Sequence, residues 1–267
     1  LVPDGTYMLT SQLTINPMLT QMIGDGGVTL NFSGAPASST AILFQGAPTA
    51  GESITKNKSR HSGGFSLVGH STITLIKLES DEGVDSAAIT LRGVSFTTAA
   101  IGMDVGTNAW QSCLDGYGFE GCTIHINEQQ DNPPTTTNFG ERHLFINGIH
   151  SGTGTAYKSR NYNSDAHFIG VSFDVSRAID ITRGAVVTMR ACHIEPSDTD
   201  TLFFIDGDTS GLAKTSLSIS DSVLVMTGSD RTNTVFSVAE NYSVGNGGLD
   251  IRGLTLVFAG AFASLKA

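Results

Sequence analysis

The chain has 267 residues, of which 15% are charged and 31 are glycine, with a formal net charge of −10. Neutralising phosphates requires clustered Lys and Arg, so this balance excludes a non-specific nucleic-acid binder. No run of 18 apolar residues occurs, which leaves no candidate for a membrane-spanning helix. Ser, Thr and Gly are abundant and no amphipathic helix of three turns can be drawn, so short strands and turns are expected throughout.

The chain begins Val2-Pro3-Asp4-Gly5-Thr6-Tyr7-Met8-Leu9, continues through Leu13-Thr14-Ile15 and Gly24-Asp25-Gly26-Gly27, and reaches Val28-Thr29-Leu30-Asn31-Phe32. These are strand-sized apolar runs separated by turn residues. The start carries neither an initiator Met nor a charged-then-apolar leader, so the 267 residues are expected to be one domain excised from the middle of a longer chain. Ala41-Ile42-Leu43-Phe44 is the next strand, a polar excursion with Lys56, Lys58 and Arg60 follows, and Phe65 to Val68 and Ile73 to Leu78 resume the pattern.

From Gly93 a phrase repeats with its side chains in register. It reads Gly93-Val94-Ser95-Phe96, Gly121-Cys122-Thr123-Ile124, Gly148-Ile149-His150-Ser151, Gly170-Val171-Ser172-Phe173, Ala191-Cys192-His193-Ile194, Asp221-Ser222-Val223-Leu224 and Gly253-Leu254-Thr255-Leu256. Successive copies start 28, 27, 22, 21, 30 and 32 residues apart, the period of a solenoid whose repeat is one supersecondary unit. A small residue followed by apolar, polar, apolar is the signature of a strand with one buried face. No single coil can bury that face alone, so stacking in parallel must supply the core. The fold class is therefore all-β, a single-stranded solenoid spanning residues 1–267.

Long excursions interrupt the coil at 106–111 with Trp110, 127–141, 152–165 with Tyr157 and Tyr162, and 239–248. In solenoids such loops gather on one face, often the binding face. Cys122 and Cys192 fall at the same buried position three coils apart, roughly 14 Å at the ~4.8 Å strand spacing, too far for a disulfide. No Cys/His spacing resembles a zinc site, and neither metal nor cofactor is expected.

With the apolar positions turned inward, the residues between them form two outward columns. One is Ser95, Thr123, His150, Ser172, His193, Val223 and Thr255; the other is Thr97, His125, Gly152, Asp174, Glu195, Val225 and Val257. Asp174 and Glu195 should stand side by side on neighbouring coils. Two carboxylates that close repel as anions, so one should hold a proton, giving an acid and a base in one place. That combination cleaves a glycosidic bond. His193, His150 and His125 flank the pair as candidates to orient a carboxylate, bind hydroxyls or serve as a base. Arg190 would suit an acidic sugar, and Trp110, Tyr157 and Tyr162 are candidate stacking platforms.

The columned Gly-Val-Ser-Phe phrases, the Pro3-Asp4-Gly5-Thr6-Tyr7 opening and the Cys192-His193-Ile194-Glu195 stretch resemble bacteriophage tailspikes that depolymerise capsule or O-antigen, within the pectate-lyase-like superfamily of right-handed parallel β-helices. The resemblance implies a homotrimer on the virion tail that acts outside the bacterial cell. It implies a bacterial surface polysaccharide as substrate, cut by hydrolase or lyase chemistry within or between subunits. Hydrolysis by Asp174 and Glu195 is the first expectation. A lyase using Arg190 or Arg142 with His193, or a non-enzymatic receptor-binding β-helix, are the alternatives.

Overall fold

The computed structural model describes residues 1–267 except 18–19, 46–59, 80–85, 88, 107–108, 130–141, 162–163, 183, 198–200, 207–214, 228–233, 239–246 and 260–267. Every element among the described residues is a strand, and the strands pair parallel, one turn of the coil upon the next. This is the expected parallel β-helix.

Each coil has three faces. Strand Ile89–Val105 shows all of them, because its successive thirds pair with Cys113–Asp115 at 90–92 and with two separate stretches of Gly118–Glu128 at 95–97 and 99–105. The first face also carries His143–Ile146, Asp165–Ile169, Ala185–Arg190, Thr215–Ser220 and Gly247–Arg252, stacked in order. The second carries 149–151, 172–174, His193–Ile194, Val223–Thr227 and Thr255–Ala259. The third carries Thr74–Leu78, then 124–128, 155–159 and 179–181, then Phe203–Ile205 and Phe236–Val238.

The bend between the first and second faces is a column of left-handed backbone. Gly64, Gly93, Gly116, Asn147, Gly170, Ala191, Asp221 and Gly253 occupy it on eight successive coils, with φ between 50° and 70°. Glycine adopts this conformation freely, and Asn and Asp tolerate it; a Cβ elsewhere costs energy. The "small residue" of the sequence phrase is thus a backbone requirement.

That column also corrects the register. The copy that pairs with Gly93-Val94-Ser95-Phe96 is Gly116-Tyr117-Gly118-Phe119, and the next is Asn147-Gly148-Ile149-His150. Gly121 belongs to a second bend, between the second and third faces, which it shares with Thr98 and Gly152. At Gly148 the slip is one residue, because Asn147 takes the left-handed position a glycine was expected to fill. A one-residue slip turns every side chain to the other side of the sheet. Ile149 therefore faces out and is 53% exposed, whereas His150 faces in and is fully buried. Cys122 and Cys192 consequently lie in different columns; both are buried free thiols, and burial pushes the Cys122 thiol up to about 12.

The core is a set of ladders running along the coil. One inward column reads Leu67, Phe96, Phe119, His150, Phe173, Ile194 and Leu224, with Phe96 on Phe119 at 4.3 Å and His150 sandwiched between Phe119 at 5.2 Å and Phe173 at 5.1 Å. Burying such side chains is worth about 1.5–3 kcal/mol each. On the last described coil the inward side chains Leu249, Ile251, Leu256 and Phe258 lack that cover and remain exposed.

Candidate functional site

The second face carries the chemistry that reaches solvent. Ser172 pairs with His193 and Phe173 with Ile194, so the residues that follow, Asp174 and Glu195, stand next to each other as expected. The Glu195 N–H donates to the Phe173 carbonyl at 2.8 Å, which continues the ladder to that point. One ligating atom each from Asp174, His193 and Glu195 lies within 4.8 Å of the others. His193 Nδ1 is 3.4 Å from Ser172 Oγ and 4.0 Å from Asp174 Oδ1. Thr227, from the next coil, donates its hydroxyl to Glu195 Oε1 at 3.3 Å.

Asp174 is the perturbed member. Partial burial raises its pKa from the ordinary aspartate value, the Glu195 carboxylate raises it further, and His193 opposes the shift. Its Oδ1 is buried without a hydrogen-bond partner. Burial and a neighbouring carboxylate both act toward proton retention on Asp174, while Glu195 on the next coil, equally half-buried, accepts the Thr227 hydroxyl. The spacing of the three groups is also compatible with a divalent cation, although half-exposed Asp, His and Glu often stand together without one.

The other residues singled out in the sequence are elsewhere. His150 and His125 do not face outward: both are fully buried inside the coil, their rings parallel at 5.2 Å and their Nδ1 atoms 3.0 Å apart. Tyr117 Oη lies 3.1 Å from His150 Nε2. Burial holds His125 down to about 4 and His150 well below the ordinary imidazole range. These are neutral core residues that complete an aromatic ladder, and neither can touch a polymer. Tyr157 is likewise fully buried, and Tyr162 lies outside the described residues.

Trp110 is half-buried in a short parallel pair with 86–87, in the loop region that joins the third face to the first. The chain segments 106–112, 129–142, 160–164, 206–214 and 239–246 connect these two faces, whereas 195–202 and 228–235 connect the second face to the third. Asp174 and Glu195 lie on the second face, which the corner between the third face and the first does not adjoin. Arg142 is exposed at that corner. Arg190 ends the first face, exposed, with its Nε 3.8 Å from Asp221 Oδ2.

A second polar cluster lies within the coil. Ser112 Oγ is 2.5 Å from His143 Nδ1, His143 Nε2 is 3.9 Å from Glu128 Oε1, and the Tyr157 hydroxyl donates to Glu128 Oε1 at 2.7 Å. Ser112, His143 and Glu128 thus follow one another in the order of a hydrolytic triad, yet each is at most 1% exposed. Burial raises Glu128 to about 8 and lowers His143 to about 3, so at neutral pH both are largely uncharged. Glu128 occupies an inward position, between Val105 and Ser159, that spacing alone assigned to a loop.

No protein-family model matches the sequence, and no curated protein sequence matches it. Similar solved structures do exist. The enzymatically active domain of tailspike protein 4 from bacteriophage CBA120 superposes with a TM-score of 0.61 at 15% identity, over 97% of this chain and 38% of that one. ORF18 of Geobacillus virus E2 gives 0.46 at 14% identity over 98% of this chain and 53% of that one. The Streptococcus pneumoniae surface protein and adhesin PfbA gives 0.39 at 13% identity over 97% and 90%. Only the first of these three carries weight, and what it shows is the fold: the chain is a parallel β-helix of the kind found in phage tailspikes. It spans 38% of the length of that tailspike domain.

Proposed function

We propose that the chain is the β-helix of a phage tailspike that binds and depolymerises a bacterial surface polysaccharide, capsule or O-antigen, by glycoside hydrolysis. The observation that supports this best is the half-exposed pair on the second face: two carboxylates on adjacent coils, one with its pKa raised by burial and by the other, with nothing bulky on the neighbouring outward positions Ser151 and Ser172. An acid and a base at this separation can protonate a glycosidic oxygen and complete the displacement at the anomeric carbon. His193 sits where it can orient Asp174 or a sugar hydroxyl.

Elimination would need a cation to neutralise a uronic carboxylate beside the base. The first candidate for it, Arg190, is already near Asp221, which weighs against the lyase reading. In this reading the protein acts as a homotrimer at the virion tail, outside the cell; among the described residues no helix is long and apolar enough to cross a membrane.

The test is a panel of purified capsules and O-antigens. New reducing ends with no rise in absorbance near 235 nm support hydrolysis. A 235 nm chromophore would establish a lyase, and binding without cleavage a receptor-binding module. Cleavage should persist in EDTA; loss that calcium restores would replace the acid–base pair with a metal centre. Sedimentation equilibrium tests the trimer.

A further inference from the structure

On the hydrolytic reading above, the two carboxylates are held unequally. Glu195 Oε1 receives the Thr227 hydroxyl from the next coil at 3.3 Å. Asp174 Oδ1 is buried with no donor, and His193 Nδ1 is 4.0 Å away. A hydroxyl that donates to one carboxylate oxygen fixes the orientation of the group and supports negative charge on it. A carboxyl oxygen buried without a donor supports a proton instead.

Spacing adds a second constraint. Inverting glycosidases separate their carboxyl groups by about 6.5–9.5 Å to admit a water between them and the sugar, whereas retaining ones hold them about 5–5.5 Å apart. One oxygen of Asp174 and one of Glu195 lie within 4.8 Å of each other, closer to the retaining arrangement than to the inverting one.

We propose that cleavage is a double displacement with retention of anomeric configuration, in which Glu195 is the nucleophile, Asp174 is the acid and then the base, and Thr227 is the positioning residue for Glu195. In the first step a Glu195 oxygen forms a bond to the anomeric carbon. The glycosidic C–O bond breaks, and its electron pair takes the Asp174 proton, releasing one sugar chain as an alcohol. In the second step Asp174 removes a proton from water and the water oxygen attacks the anomeric carbon. The ester bond to Glu195 breaks, and both carboxyl groups return to their starting states.

The experiment uses the polysaccharide that the wild type cuts and an aryl glycoside of its repeating unit. Proton NMR of the first product should show the anomer of the substrate; the opposite anomer overturns the proposal. Glu195→Gly with azide should yield a glycosyl azide of inverted configuration, and Asp174→Gly with azide one of retained configuration. The reverse pairing would exchange the two roles and overturn the assignment.

Thr227→Val should lower kcat about tenfold with KM changed less than twofold, and Thr227→Ser should recover most of the loss. An unchanged kcat in Thr227→Val removes Thr227 from the mechanism. If the wild type releases no reducing ends from any polysaccharide, the hydrolase reading itself falls and takes this assignment with it. Cleavage with inversion sinks the assignment alone.

Discussion

Two clusters in this molecule draw on the same chemistry and put it to opposite ends. Asp174, His193 and Glu195 project from the second face, half-exposed, with one carboxyl oxygen lacking a donor. Ser112, His143, Glu128 and Tyr157 form a closer imitation of a catalytic constellation but are sealed inside the coil. The difference is one of parity. A side chain on one side of the strand reaches solvent, and the same side chain one residue along replaces a hydrophobic residue in the core. Residue type and mutual distance therefore do not define a site here; the direction of the Cα–Cβ bond does.

The sharpest break between the clusters is expected from Glu195→Gln and Asp174→Asn. Each should lower polysaccharide cleavage by about a thousandfold or more while leaving the melting temperature within a degree or two, read by reducing-end assay and calorimetry. Activity at the wild-type level in either variant would remove that residue from the mechanism. The inner cluster should respond the other way. Glu128→Ala leaves a cavity and strips the Tyr157 hydroxyl of an acceptor, so the fold should lose about 3 kcal/mol while the folded fraction keeps its activity. Glu128→Gln should cost far less, because the native side chain is already mostly neutral at pH 7.

The next contrast is with pH. His125 and His143 have folded pKa values of about 4 and about 3, below the ordinary 6.5, so the unfolded chain takes up their protons first. Their contribution to stability is present above pH 6.5 and is lost as pH falls toward those values. Glu128 is shifted the other way, from 4.5 to about 8, so its contribution is present below pH 4.5 and is lost as pH rises through 8. Melting temperature measured from pH 4 to 9 should therefore fall at both ends. His143→Gln should flatten the acid limb and Glu128→Gln the alkaline one. The smallest effect is expected at Ala191, exposed with φ 53° in the left-handed column. Ala191→Gly should raise stability by about 0.5 kcal/mol, the relief of the Cβ clash less the added flexibility of the unfolded chain, with neither cluster disturbed.

Much of this architecture was legible in the sequence because a parallel coil repeats its demands. Gly93, Gly170, Ala191, Asp221 and Gly253 mark the same bend, and from them the neighbouring positions of Asp174 and Glu195 follow. The reading failed where two bends carry similar residues. Gly121 was indistinguishable by type from Gly116, and Asn147 concealed the bend that Gly148 seemed to mark. With Gly148 taken as the bend His150 points outward, and with Asn147 as the bend it points inward, as it does. His125 and Glu128 were harder still: polar residues in a core can be foreseen only from partners such as Tyr157 and Ser164, which are distant in sequence and meet through stacking. Thr227 escaped for a related reason, since it reaches back 32 residues to Glu195.

The stacked strands have a further consequence. Asp174 and Glu195 belong to consecutive turns of the coil, so the gap between them is a property of the backbone hydrogen-bond repeat, about 4.8 Å, and not of the 20 residues that separate them in the chain. The coil acts as a ruler. Segments can lengthen or shorten between the third face and the first, as they do from one turn to the next, and the two carboxylates keep their spacing. A lineage could thus change the length of those segments without altering the spacing of the two carboxylates.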